Sequence, residues 1–74
     1  MSKVFNKKYQ RSLCALLVEA REAAALTQKQ VAETKIVRQS ELSKIENGQR
    51  KLEFLLLIEL AELYGKDVGF FVPK

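Results

Sequence analysis

The sequence has no histidine and one cysteine, Cys14, among 74 residues. That excludes a Cys/His metal cluster, a disulfide framework and a Cys-His nucleophile, and leaves Cys14 as a small apolar residue on a helix. Proline occurs once, at position 73, and glycine three times, which is little material for a turn-rich β-sandwich. No apolar run approaches the roughly 18 residues that a membrane span needs, and no apolar h-region follows the basic N-terminus. The expected location is therefore a reducing cytoplasm. A chain this short buries only about 60% of its unfolded surface and supports one small core. A Rossmann domain, a barrel enzyme and a two-domain catalytic cleft are excluded by size.

What is present favours helices. Apolar residues make up 47% and charged residues 30%, a globular rather than a disordered balance. Ala, Leu, Glu, Lys, Arg and Gln dominate, all good helix formers. The fold class expected is one all-α domain. Charge is unevenly spread: residues 1–51 carry eleven Lys/Arg against five Glu, and residues 52–74 carry two Lys against four acids. A basic block beside a mildly acidic one suits a protein with one face turned to phosphates.

Residues 1–8, with Val4 and Phe5 among polar and basic neighbours, read as a loose basic arm, and residues 9–74 as the domain. Across 9–24 there is no Gly, Pro or Asn, and Leu13, Leu16, Leu17, Ala20 and Ala24 form one apolar stripe at helical spacing. Leu26-Thr27 should break that helix. Thr27 then caps the next, 28–35, with Gln30 as its capping-box partner and Val31 and Ala32 turned inward. A third helix is expected over 38–47, with Val37, Leu42 and Ile45 apolar and a stop at Asn47-Gly48. Gln49-Arg50-Lys51 reads as an exposed basic loop. A strongly apolar helix spans 52–64, stopped by Gly65, and Asp67 opens a final turn over 68–72. The second and third helices are so close in sequence that they must cross steeply, with the small Ala32 where their backbones approach. That is the construction of a helix-turn-helix, here over about 28–47.

Two strings stand out, Leu26-Thr27-Gln28-Lys29-Gln30-Val31-Ala32-Glu33 and Gln39-Ser40-Glu41-Leu42-Ser43-Lys44-Ile45-Glu46-Asn47-Gly48, with Leu57, Ala61, Tyr64 and Gly65 following them. Together they resemble the XRE family, the lambda-repressor-like and Cro-type helix-turn-helix regulators of bacteria and phages. The resemblance implies a compact bundle of four to five helices that binds double-stranded DNA, and a cytoplasmic, nucleoid-associated location. It places Gln39, Ser40 and Lys44 at base-reading positions. Gln28 matches a residue that meets backbone phosphate, Arg38 and Ser43 fall on the groove side, and Asn47, Gly48, Gln49 and Arg50 match the loop that grips the phosphate chain. Arg21 and Glu46 match a supporting ion pair.

Chemistry agrees with these roles. Gln can pair bidentately with adenine and Lys can donate to guanine, while Lys29, Arg38, Arg50 and Lys51 add salt-dependent affinity without sequence information. Glu41 would repel phosphate, so it either points away or reads a cytosine amino group. One departure concerns the turn. Ile36 stands where the family has a glycine at positive φ, and Lys35 at a usually apolar position. Either Ile36 takes a backbone conformation unusual for a β-branched residue, or the turn is rearranged and Ile36 fills the core slot that Lys35 vacates.

Not all of Leu55, Leu56, Leu57, Ile58, Leu60 and Leu63 fit inside so small a core. Leu56, Phe70, Phe71 and Val72 are candidate dimer contacts, since an apolar patch left outside suggests a partner surface. Two functions compete. One is a sequence-specific DNA-binding transcriptional regulator, a repressor or autoregulator occupying its operator as a homodimer. The other is a protein-interaction module on the same fold, an antitoxin or adaptor working through Leu56 and the Phe70-Phe71 turn. An enzyme is disfavoured, because no acid/base or nucleophile constellation is present, and no cofactor or metal is expected.

Overall fold

The computed structural model describes residues 7–72. They form α1 (Lys7–Ala23), α2 (Gln28–Glu33), α3 (Gln39–Glu46), α4 (Phe54–Tyr64) and a closing 3-10 turn (Val68–Phe71), with no strand among the described residues. The chain is an all-α bundle in which α2 and α3 pack on each other and α1 lies against α3, α4 and the closing turn. The core draws on every element: Leu17 and Ala20 of α1, Val31 of α2, Leu42 and Ile45 of α3, Leu60, Ala61 and Tyr64 of α4, with Val37 and Phe71.

Local chemistry sets most boundaries. Thr27 Oγ1 accepts from the Gln30 amide at 3.0 Å and the Gln30 side chain accepts from the Thr27 amide at 2.9 Å, the expected capping box. The Asp67 carboxylate caps the closing turn through the Gly69 amide at 3.1 Å. Helices α1, α3 and α4 all close with a pair of bonds back to the last turn (Leu26 N to Arg21 O, Gln49 N to Lys44 O, Lys66 N to Ala61 O). Each needs a left-handed residue: Ala25 at φ 60°, Gly48 at 77° and Gly65 at 72°. Helix α1 therefore ends at Ala23, three residues before Leu26, with Ala25 in the left-handed position where glycine is usual.

Several boundaries differ from the sequence reading. Lys7 and Lys8, assigned to the basic arm, already belong to α1, and the rest of that arm lies outside the described residues. Helix α2 stops at Glu33, because Thr34 turns its hydroxyl back onto the Val31 carbonyl at 2.6 Å and Lys35 takes φ 70°. The left-handed residue of the turn is thus Lys35. Ile36 is partly buried against the core, so the rearranged turn is the one adopted. Lys35 can bear positive φ with its side chain in water, where a β-branched residue would clash with its own backbone.

The apolar excess of α4 divides unevenly. Leu60 is fully buried, whereas Phe54 is 66% and Leu55 74% exposed. Among the candidate dimer contacts, Phe71 is corrected: it is 2% exposed and belongs to the core. The short turn after α4 folds it back against α1. Phe70 is half-buried, edge-on to Phe71 at 5.1 Å and under the Lys66 ammonium at 4.8 Å. Leu56 packs partly on the core, and Val72 is exposed. The adaptor reading relied on a Phe70-Phe71 surface that is at most half available.

Candidate nucleic-acid interface

Helix α3 is amphipathic in a way that fixes which side is free. Leu42 and Ile45 are buried, so the opposite side carries Gln39, Ser40 and Lys44 into solvent, with Ser43 partly covered beside them. Arg38 precedes the helix in extended conformation and is exposed. Lys29 of α2 and Asn47, Gln49, Arg50 and Lys51 of the following loop are also exposed. No described element covers the side chains of Gln39, Ser40 and Lys44.

Behind this face lies a polar network. Glu46, whose side chain is 4% exposed, accepts from Arg21 Nε at 2.8 Å and Arg21 Nη2 at 3.1 Å. Gln28 Nε2 donates to the same carboxylate at 2.8 Å, and Arg21 Nη1 donates to the Leu26 carbonyl at 2.9 Å. The Arg21–Glu46 pair inferred from resemblance is therefore formed, and it is bidentate. Gln28 is joined to it through its side-chain amide. The hydrogen bond to Glu46 holds the Arg21 guanidinium above its already high pKa.

Two neighbours sense this network. Burial pushes the Tyr64 phenol up to about 12, reinforced by the Glu46 charge and opposed by Arg21, and its buried hydroxyl has no hydrogen-bond partner among the described residues. Burial, then the Glu46 charge, raises the Cys14 thiol as well, so it stays protonated and donates to the Ile45 carbonyl at 3.3 Å. Gln10 Nε2 donates to the Gly48 carbonyl at 3.2 Å. These two bonds tie α1 to the end of α3. Sequence reading passed over Gln10, although its four-residue spacing from Cys14 puts both on one helix face.

Glu41 does point away from the Gln39–Lys44 side. It is partly buried and faces Arg50 Nη1 at 3.4 Å, both side chains remaining substantially exposed. Arg50, expected on phosphate, is therefore shared with a carboxylate of α3.

A short helix, a tight turn and a second helix with a free polar side, backed by a buried ion pair, define a helix-turn-helix DNA-binding domain. A family model described as helix-turn-helix matches residues 17–71. The chain belongs to that family, the XRE-type, lambda repressor- and Cro-like regulators, a DNA-binding regulatory family and not an enzymatic one. No curated protein and no solved structure matches the chain. Among the described residues no helix is long and apolar enough to cross a membrane.

Proposed function

We propose that the chain is a sequence-specific transcriptional regulator that occupies its operator as a homodimer and acts as a repressor or autoregulator in the cytoplasm, on the nucleoid. The observation that carries this reading is the uncovered polar side of α3, with Gln39, Ser40 and Lys44 exposed together above a buried apolar side. In the major groove Gln39 would pair with adenine, Lys44 with the guanine acceptors, and Ser40 with either. Gln28, Lys29, Arg38, Ser43, Asn47, Gln49, Arg50 and Lys51 surround them and would hold the groove edges and phosphates. Arg21 and Glu46 support the Gln28 contact from behind.

The dimer would use the exposed apolar residues Phe54, Leu55 and Val72 with the partly covered Leu56 and Phe70. Two α3 helices about 34–36 Å apart would then read an inverted repeat.

Selection of binding sites from a random duplex pool tests the whole reading. A logo with two half-sites one helical turn apart is expected. Lys44→Ala and Gln39→Ala should each weaken the selected site by about 1–3 kcal/mol, with a smaller effect on random duplex. No enrichment from the pool, or equal losses on selected and random DNA, would overturn the reading of α3. Sedimentation at micromolar concentration showing monomer alone would overturn the dimer.

A further inference from the structure

Lys7, Gln10, Arg11 and Cys14 recur at the spacing of one helix face, and that face of α1 meets the end of α3. Together with Asn47 and Gly48 it walls a groove of about 260 Å³. Two hydrogen bonds hold the walls in register: Gln10 Nε2 to the Gly48 carbonyl at 3.2 Å and Cys14 Sγ to the Ile45 carbonyl at 3.3 Å. Lys7 and Arg11, both exposed, flank these pins, and among the described residues neither has an ion-pair partner. The one acid at the groove, Glu46, is buried and already bound by Arg21. Two cations thus line the groove beside the loop that begins at Asn47, without an ion pair among the described residues.

We infer that this face of α1 is a further anion site that takes a backbone phosphate of duplex DNA, extending the contact made by the 47–51 loop. The inference rests on the reading of α3 as the groove-entering helix, because it uses the strand lying along that loop. The side chains suit the task. Arg11 offers a planar fork of donors and Lys7 a flexible point charge. Any Gln10 N–H left free by Gly48 can add a neutral bond. A phosphate held here carries no base information, so the site adds affinity and fixes how α1 lies on the duplex without altering which sequence is read.

Salt dependence of binding, measured with the full chain on both a selected site and a random duplex, tests this directly. Each phosphate contact removed should lower the slope of log K against log salt by about 0.9. The double variant K7A/R11A should therefore lose about 0.9 of slope per protomer bound, equally on both duplexes, with the ratio between them unchanged. K66A, which removes a single cation beside Phe70 instead, shows what losing one charge away from the groove does and should leave the slope close to that of the unaltered chain. A slope unchanged in K7A/R11A, or lowered no more than in K66A, overturns the inference. So does a loss confined to the selected site. If K44A abolishes preference for the selected site while K7A/R11A keeps its slope, the α3 reading stands and this one falls. If the unaltered chain shows no salt-dependent binding to any duplex, both fall. Circular dichroism melts of the variants separate loss of contact from loss of fold.

Discussion

Removing the Glu46 carboxylate probes how the interface is held from behind. That side chain takes two charged hydrogen bonds from Arg21 and one from Gln28, all between 2.8 and 3.1 Å. Glu46→Ala leaves the guanidinium with the Leu26 carbonyl alone. Deleting one partner of a fully buried pair costs about 3–5 kcal/mol. The Arg21 side chain keeps 13% exposure, so water relieves part of the loss and about 2–3 kcal/mol is expected. A chain of this size has about 4–11 kcal/mol of stability in all, and such a loss lowers Tm by about 10–20 °C. Glu46→Gln keeps the shape but not the charge and should fall between, at about 1–2 kcal/mol. Urea denaturation of Arg21→Ala, Glu46→Ala and the double variant closes a cycle whose coupling should be about 1–2 kcal/mol. A second readout follows from Gln28: its amide loses its anchor, so affinity for random duplex should fall at temperatures where Glu46→Ala is still fully folded. The reasoning is refuted if Glu46→Ala costs less than about 1 kcal/mol, or if the two single losses simply add.

Three further outcomes are expected. Lys35→Gly should raise stability by about 0.5–1 kcal/mol, since glycine carries no Cβ penalty at φ 70°; Lys35→Ile should lower it, both read from urea midpoints. Tyr64→Phe should leave stability unchanged or slightly raised at neutral pH, because the lost hydroxyl is buried without a partner. Burial holds the folded phenol up to about 12 against an ordinary value of 10, so this group leaves stability unchanged below pH 10 and lowers it as pH rises towards 12. Alkaline unfolding curves of Tyr64→Phe should lack that component. Glu41→Gln should free Arg50 and strengthen binding to random duplex, with a steeper salt slope in anisotropy titrations, while stability changes by less than about 0.5 kcal/mol.

Features that depend only on neighbours within about five residues could be read along the chain. The Thr27–Gln30 box, the stops at Gly48 and Gly65 and the Asp67 cap are each complete inside one turn of chain, so the four helices and the closing turn were legible. The buried side of α3 followed from the spacing of Leu42 and Ile45, and with it the free side bearing Gln39, Ser40 and Lys44. The Arg21–Glu46 pair spans 25 residues and was readable only through family resemblance. Tertiary structure decided what periodicity cannot. Phe71 is inside while Val72, its neighbour, is outside, and Leu55 is exposed while Leu60 is not. Whether an apolar residue near a helix end is covered depends on which other element arrives there. The same holds for Lys35 taking the left-handed position, for Glu41 meeting Arg50, and for Lys7 and Arg11 standing beside Asn47. Those relations exist only once separate helices are packed, because only packing converts distance along the chain into distance in space.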